Sequence, residues 1–386
     1  MTFLFASAVD TSCPRNADGT HADAMDRGGH YARWEEDFEL AASLGLRALR
    51  YGPAYYRTHL APERFDWETV DAPLARLRAL RLQPIACLCD GGMPSWISGA
   101  HDVAFPVLFA EYARGFARRY PWVRTYAPIR DITGFARREA TAPDGTVDER
   151  RFALALRNLA MGHELAVEAI LGERPDALIV HTEQAEHVHA AGAVARTTAD
   201  RANARRFAAL DLTLGRELAP GVAGWLMTHG LTAHDLAFFR ERRAPDQRWL
   251  GLGYTPGCER RVTATERTST ARRGLGFSAL ATEYWRRYRL PLFHAETRTE
   301  SRHALGWLRR QWEEIIALRA TGVPVVGFTW APLTDRPGDA RSPEALGLAD
   351  ARRQMRPVGV AYAELITRWA KVVDGDAPRA QAVRSA

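Results

Sequence analysis

Lysine is nearly missing from this chain. Lys371 is the single lysine among 52 basic residues, and arginine supplies the rest. The formal net charge is nevertheless only +6, because 46 acidic residues are interspersed with the arginines along amphipathic segments. This pattern is typical of solvated helix faces. No dense basic run and no RNA-binding motif occurs, so we do not expect nucleic acid as a partner.

Cysteine and long apolar runs are also scarce. The spacing of the four cysteines, Cys13, Cys87, Cys89 and Cys258, fits neither a redox motif nor a zinc ribbon. We therefore expect reduced thiols and neither a metal nor an organic cofactor. No apolar run reaches membrane-spanning length, and the opening MTFLFASAVD lacks the basic segment of a signal peptide. We expect a cytoplasmic protein without a membrane partner, whose oligomeric state the sequence leaves open.

Short apolar runs alternate with longer amphipathic segments along almost the whole chain. Helical patterns cover residues 33–45, 70–81, 105–120, 150–173, 234–243, 276–288, 303–322 and 357–373. Eight runs between them predict strands: Phe3–Val9, Leu46–Tyr51, Pro84–Cys89, Thr125–Arg130, Ala177–Thr182, Trp249–Tyr254, Leu290–Ala295 and Val325–Trp330. Continuous apolar strands are typical of parallel sheets covered by helices. The sequence predicts one α/β domain over residues 1–373, a (β/α)₈ TIM barrel, with 374–386 as a flexible tail.

Polar residues close most of the predicted strands. In a barrel of this kind the chemistry lies where the strands end, so these residues are the candidates for function. A purely structural barrel needs no acids there, and crowded carboxylates repel one another unless they are used or paired. The strand-end groups are Asp10, Arg50-Tyr51, Cys89-Asp90, Arg130-Asp131, His181 to Glu183, Tyr254, Glu296 and Trp330.

Two of these acids should face each other across the barrel mouth. Asp131 follows the fourth strand and Glu296 follows the seventh, so three strands separate them. Paired carboxylates across a pocket suit glycoside hydrolysis, in which one acid protonates the leaving oxygen and the other attacks the sugar carbon or activates water. Trp330 could supply a flat apolar platform for the sugar.

Four segments together resemble glycoside hydrolase family 1, the β-glucosidase-like barrels of clan A. The resemblance runs over nearly the whole chain. In order, the segments resemble the family's second strand with its feeding helix, the fourth strand with its helix, the seventh strand, and the eighth strand. They read HYARWEEDFELAASLGLRALRYGPAYYRTHLAPERFDW, FAEYARGFARRYPWVRTYAPIRD, PLFHAETRTE and GVPVVGFTWAPLTD.

The resemblance assigns roles to individual residues. Glu296 matches the family's nucleophile, Arg50 the arginine that orients it, and Trp330 the sugar platform. The resemblance also implies a small-molecule glycoside as the partner. Asp131 stands at the position of the acid/base, and Asp90, Tyr254, Glu183 and His181 are further candidate substrate contacts.

The departures from the family pattern fall in the pocket. Where the family has Asn-Glu after the fourth strand, this chain has Arg130 and Asp131. The third strand ends in Asp90-Gly91 instead of His-Trp, and the sixth reads Gly253-Tyr254-Thr255 instead of Asn-Tyr-Tyr. Much of the pocket that would hold an ordinary glucose is therefore changed.

The Arg130-Asp131 pair has three interpretations. Asp131 is a shortened acid/base, set back by roughly 1.5 Å, which can cost on the order of 100-fold in rate. Alternatively, Arg130 pairs with Asp131 and lowers its pKa, the wrong direction for a general acid at neutral pH. Or Arg130 faces the ligand and binds an anionic group bidentately, with Asp131 still the acid.

A polar cluster, HTEQAEHVH, closes the fifth strand. It is a polar strand end and the start of a solvated helix, or it places Glu183 or His181 against the substrate as a substitute acid. A metal site is a third interpretation, although the spacing fits no zinc signature.

The sequence thus predicts hydrolysis of a small or unusual β-linked glycoside, with an anionic sugar as one option. Two alternatives stay open: a glycosidase-shaped barrel that binds a sugar without cleaving it or serves a biosynthetic pathway, and a glycosyl transfer reaction.

Overall fold

The computed structural model describes residues 2–14, 16, 20–242, 247–271, 273–335 and 346–375. Eight parallel strands close into a barrel in chain order, and the last pairs with the first. This confirms the predicted (β/α)₈ fold and all eight predicted strands. The strands are β1 Leu4–Ala8, β2 Ala48–Tyr51, β3 Gln83–Cys89, β4 Thr125–Ile129, β5 Leu178–Gln184, β6 Arg248–Gly253, β7 Leu292–Thr297 and β8 Val325–Trp330.

Helices surround the barrel, and each predicted helical segment overlaps one of them. The principal helices are α1 His30–Ser43, α2 Glu68–Ala79, α3 Phe105–Arg119, α4 Glu149–Glu173, α5 Ala233–Arg240, α6 Phe277–Tyr288, α7 Ala304–Ala320 and α8 Pro357–Gly375. Shorter helices span Ala24–Arg27, Tyr55–Thr58, Ile132–Ala140, Arg196–Arg205, Ala208–Thr213 and Pro220–Thr228, and 3₁₀ turns span Ala193–Ala195, Pro256–Cys258 and Ser301–His303.

The strands are largely apolar because both of their faces are buried. Along β1, Leu4 and Ala6 pack in a cluster inside the barrel, while Phe5 packs in the larger core between the strands and the helices. Successive side chains of a strand point to opposite faces, which produces this division. The same pattern explains why the strands read as continuous apolar runs.

Glycine ends two of the helices that lead into strands. Gly45 follows α1 with φ of 77°, and Gly322 follows α7 with φ of 84°. Both values lie in the left-handed region, where a side chain is strained and glycine is favoured. The chain can therefore turn sharply from each helix into β2 and β8.

Two small sheets lie outside the barrel. A hairpin pairs His59–Ala61 with Arg64–Phe65. A three-stranded sheet pairs His187–Ala190 with Glu259–Val262, and the latter with Thr268–Thr270. The cluster HTEQAEHVH therefore runs from β5 into a second strand, so the helix start that we expected there is wrong.

The last helix extends past the predicted domain boundary at residue 373. The carboxylate of Asp374 accepts hydrogen bonds from the backbone N–H of Phe3 at 2.8 Å and from Arg47 Nη1 at 2.7 Å. It thereby ties α8 to the start of the barrel. Residues 376–386, most of the expected tail, lie outside the described residues. Among the described helices, none is both long and apolar enough to cross a membrane.

A buried ion pair joins the barrel to its longest helix. Arg248 at the start of β6 donates from Nη1 to Glu164 Oε1 at 3.2 Å and from Nη2 to Oε2 at 3.0 Å. The side chains are 1% and 5% exposed. Burial raises the pKa of Glu164, but His163 and Arg248 outweigh it and hold this pKa below its usual value.

We predict that Glu164→Ala lowers the free energy of unfolding by about 3–5 kcal/mol, because it leaves the Arg248 charge buried and unpaired. One turn along α4, Glu168 pairs with Arg242 in an exposed position, and Glu168→Ala should cost about 1 kcal/mol or less. Denaturant unfolding of the two variants and the parent measures both effects. Equal losses in the two variants would contradict the buried pair's role.

Candidate active site

A cavity of about 410 Å³ lies at the C-terminal ends of the strands. Its polar lining contains acids from five places in the chain: Asp10, Asp90, Asp131, Glu186 and Glu296. Four arginines lie among them: Arg50, Arg130, Arg138 and Arg298. Groups from five of the eight predicted strand ends, those of the first four strands and of the seventh, therefore meet at one mouth, and this mouth cavity is the candidate site.

Glu296 lies at the centre of the arginines. Arg50 at the end of β2 donates from both Nη1 and Nη2 to Glu296 Oε2, each at 3.2 Å. Arg130 Nη2 donates to the same oxygen, and Arg298 Nη1 donates to Oε1. The geometry thus brings together Arg50 and Glu296 as the resemblance implies, and it adds two further arginines.

The surroundings of Glu296 determine its charge. The residue is 2% exposed, and burial by itself raises the pKa of a carboxyl. The positive charges of Arg130, Arg298 and Arg50 outweigh burial and hold the pKa of Glu296 well below its usual value. Glu296 is therefore ionised at neutral pH, as a nucleophile requires.

Arg130 does not pair with Asp131. Its Nη1 donates to Asp90 Oδ1 at 2.8 Å, and its Nη2 binds Glu296 across the mouth. Asp90 also accepts from Thr11 Oγ1 at 3.2 Å. The interpretation in which Arg130 holds Asp131 ionised through a direct pair lacks that contact, and Asp90 anchors Arg130 instead.

Asp131 is the N-cap of the helix Ile132–Ala140. Its backbone adopts φ of 50° and ψ of 65°, and its carboxylate accepts from the Gly134 N–H at 3.1 Å. Arg138, two turns along this helix, approaches Asp131 Oδ2 to 3.9 Å. Burial raises the pKa of Asp131, and Glu186 adds to the rise while Arg138 and Arg130 oppose it. A raised pKa is the direction that a general acid needs.

Glu183 shares the same helix N-terminus from inside the protein. Its two carboxylate oxygens lie 3.4 and 3.3 Å from the Thr133 N–H. Burial raises the pKa of Glu183 well above its usual value, and the charge of Asp131 adds to the rise. Glu183 does not line the mouth cavity. It is placed to influence Asp131, not to touch a ligand in this cavity.

His181 is buried one step deeper. Its Nδ1 lies 3.0 Å from the hydroxyl of Thr213, and its Nε2 lies 3.6 Å from Glu183 Oε1. Burial, with the nearby His163 and Arg248, lowers the pKa of His181 well below its usual value. His181 is therefore neutral at pH 7 and has no surface in the mouth cavity, so the structure shows no route to a substrate contact.

Two other candidates also lie outside the cavity lining. Trp330 is fully buried, and its Nε1–H donates to the Leu346 carbonyl at 3.0 Å. Its ring therefore presents no face to the mouth as a sugar platform. Tyr254 donates its hydroxyl to Glu259 Oε1 at 2.7 Å and stacks on Trp307. Its hydroxyl is committed to an internal carboxylate.

The structure adds residues that the sequence reading did not single out. Arg298 lies two positions after Glu296, and this spacing places both side chains on the same side of an extended chain. Arg138 lies seven positions after Asp131, which is two helical turns. Both signals were present in the sequence, but they acquire meaning only when the cavity is known.

The cluster HTEQAEHVH is divided between separate environments. Glu186 lines the mouth cavity, while His189 Nε2 bonds Glu259 Oε2 at 2.7 Å in the outer sheet. Across the described residues, no three His, Cys, Asp or Glu side chains converge in a way that could hold a metal ion.

The chain matches known proteins in its structure. No protein-family model matches the sequence. No curated protein matches it significantly. Among solved structures, the chain is similar to the β-glucosidase from Thermotoga maritima in complex with cyclophellitol, with a TM-score of 0.79 and 17% identity over 95% of this chain and 98% of that one. The family 1 β-glucosidase from the same organism gives 0.78 and 16% over 95% and 97%. The chain therefore has the fold of the family 1 β-glucosidases.

We predict that Arg138→Met raises the pKa of Asp131, because it removes the largest charge that opposes the rise. Carboxyl carbon shifts of isotope-labelled aspartate, followed against pH, measure this change, and Asp131→Asn identifies the signal. Arg150 is exposed at the start of α4, and Arg150→Met is the matched control that should leave the titration unchanged. An unaltered or lowered pKa in Arg138→Met would refute the proposed balance of charges.

Proposed function

We propose that the chain hydrolyses a β-linked glycoside whose sugar binds in the mouth cavity. Glu296 is the proposed nucleophile and Asp131 the proposed acid/base. The observation that carries the proposal is the opposite direction of the two pKa shifts in one cavity: well below the usual value at Glu296 and above it at Asp131. Carboxyls whose environments separate their pKa values are suited to divide acid and base roles.

Each residue then has a defined step. Asp131 donates its proton to the glycosidic oxygen as the bond to the leaving group breaks. Glu296 attacks the sugar carbon and forms a covalent intermediate, and water activated by the deprotonated Asp131 then releases the sugar. Arg50 fixes the orientation of Glu296, and Asp90 fixes Arg130 beside it.

The pairing of Glu296 indicates which of its oxygens attacks. Arg50 and Arg130 both bind Oε2, while Oε1 has Arg298 as its partner. The Arg298 side chain is 32% exposed, whereas that of Arg50 is 8% exposed. Arg298 is therefore the partner that can swing away, and we propose that Oε1 is the nucleophilic oxygen.

An anionic sugar remains part of the proposal, but we propose that residues other than Arg130 bind its anionic group. Arg130 is only 15% exposed and lies between the negative charges of Asp90 and Glu296, which would oppose a further anion there. Arg138 and Arg298 are the more exposed cavity arginines. A carboxylate or phosphate on the sugar would meet these two first.

A second function, sugar binding without cleavage, is favoured by one observation. Three arginines surround Glu296, and each cation that stabilises the carboxylate also weakens it as a nucleophile. In that case the cavity would retain a ligand instead of turning it over.

Leaving-group chemistry provides the test. The substrates are phenyl and 2,4-dinitrophenyl β-glycosides of neutral, 6-phospho and uronic acid sugars. The rate at which each leaving group is released is measured for the parent protein, Glu296→Gln and Asp131→Asn. Glu296→Gln should abolish turnover of both leaving groups. Asp131→Asn should slow the phenyl glycoside by about 10²–10⁴-fold, the usual contribution of a general acid. It should largely spare the release of dinitrophenolate in the first turnover, since that leaving group needs no proton, while the later release of the sugar slows for want of a base.

Asp144→Asn, in an exposed turn after the helix Ile132–Ala140, serves as the control and should leave turnover unchanged. First-turnover rates that fall equally for both leaving groups in Asp131→Asn would remove Asp131 from the acid role. No turnover of any substrate, together with ligand-induced thermal stabilisation that survives in both variants, would establish the binding function.

A further inference from the structure

A second cavity adjoins the mouth. It has a volume of about 190 Å³, and Glu186 belongs to the walls of both cavities. Its other walls come from the segments that follow β4, β5 and β6, on the same side of the barrel as the mouth. We call it the side cavity.

The side cavity is basic. Its charged lining consists of Arg137, Arg205, Arg206, Arg260, Glu149 and Glu186. These four arginines and two glutamates leave an excess of two positive charges. Glu283, which pairs with Arg206 from outside the lining, reduces this excess to one. An anion that enters this space therefore meets a favourable field.

Two of these four arginines make only weak ion pairs. Arg137 reaches Glu186 Oε2 only at 3.4 Å from each of its two Nη atoms, and Arg205 reaches Glu149 Oε1 at 3.3 Å in a partly exposed pair. A guanidinium carries five N–H donors, so both residues have donors to spare. Partly exposed pairs of this kind contribute little and are readily exchanged for a better-placed anion.

One side of the cavity is apolar. Val147, Phe152, Val188 and Trp225 line it, and the guanidinium of Arg205 lies 4.0 Å above the centre of the Trp225 ring. In the part of the chain that the structure describes, Thr133 Oγ1, Arg206 Nε and Trp225 Nε1 are buried polar atoms without a hydrogen-bond partner. All three residues line this cavity. The side cavity thus combines an apolar wall, a basic wall and unused donors.

The side cavity lies beside the helix that carries Asp131, the proposed acid. The helix Ile132–Ala140 carries Asp131 at its N-terminus and also supplies Thr133 and Arg137 to the side cavity. A general acid protonates the leaving group, so the leaving group lies on the side of the mouth from which the acid acts. The side cavity is on that side, separated from the mouth by Glu186.

We propose that the side cavity binds an amphipathic anion: a carboxylate or phosphate attached to an apolar body, carried by the leaving group of the glycoside. The assignment to the leaving group rests on the proposed hydrolysis, while the binding itself does not. The anion replaces Glu186 and Glu149 as partner of Arg137 and Arg205, and the apolar body packs against Phe152 and Trp225.

Calorimetric titration of the full chain tests the binding directly. The probes are benzoate and phenyl phosphate, with benzyl alcohol as the uncharged analogue and inorganic phosphate as the anion without an apolar body. We expect one or both aryl anions to bind at least about tenfold more tightly than either comparison ligand, because only they engage both walls. The tighter of the two identifies carboxylate or phosphate as the recognised group.

Three variants locate the site. Arg205→Met should weaken binding of the preferred aryl anion by about tenfold, since it removes a charged donor but keeps an apolar side chain over Trp225. Arg201→Met, an exposed arginine on the same helix outside the cavity, should leave the affinity unchanged. Glu186→Gln should strengthen binding, because it removes the carboxylate that pairs with Arg137 and, at 2.9 Å, with Arg260 Nη2.

The outcomes separate this inference from the proposed function. Aryl anions that do not bind, or that bind no better than benzyl alcohol or inorganic phosphate, overturn it even when hydrolysis is observed. Equal affinities in Arg205→Met and Arg201→Met overturn it as well. If Glu296→Gln and Asp131→Asn show no role in turnover but the parent protein binds the aryl anion with the expected variant pattern, hydrolysis fails and the side cavity stands as an anion site.

Discussion

The site depends on one buried negative charge. A carboxylate as enclosed as that of Glu296 loses its hydration, and the loss must be offset by cations and hydrogen bonds close to it. The chain supplies them from three directions: Arg50 near the end of β2, Arg130 after β4, and Arg298 just beyond β7. The requirement to neutralise this charge is one that arginine, the main cation of this protein, meets well. Planar guanidinium groups fit carboxylates in fixed geometry, which a lysine ammonium does not.

The neutralised carboxylate in turn organises the acids around it. Because Arg130 is drawn toward Glu296 and Asp90, it is not available to pair directly with Asp131. Asp131 therefore remains under the influence of burial and of the helix that it caps. Glu183, held by the Thr133 N–H of the same helix N-terminus, adds a second carboxyl with a raised pKa behind it. Burial thus raises the pKa of both acids while hydrogen bonds from one helix N-terminus oppose the rise, and their roles stay predictions until they are titrated.

The sequence predicted the barrel well because the relevant signals are local. Each strand is an apolar run bounded by turns, and topology then forces the strand ends to meet at one mouth. The contacts that the sequence did not predict depend on partners outside the local pattern. The strand His187–Ala190 exists because it pairs with Glu259–Val262, about 70 residues away. Trp330 is enclosed against Leu346, which no periodicity reveals, and the direction of Arg130 depends on a partner 166 residues away.

The contact between Arg50 and Glu296 also has a consequence for how the chain folds. The two residues are 246 positions apart, and they meet only when β2 and β7 occupy the same closed ring. Contacts of such long sequence separation form late, after most of the chain has been ordered. On a ribosome, the first four strands would emerge before Glu296, so Arg130 would have Asp90 as a partner while Arg50 would lack its carboxylate. The guanidinium of Arg50 would wait for this partner until the seventh strand arrives, so nascent or truncated chains would differ from the finished protein in the anions that this strand end attracts.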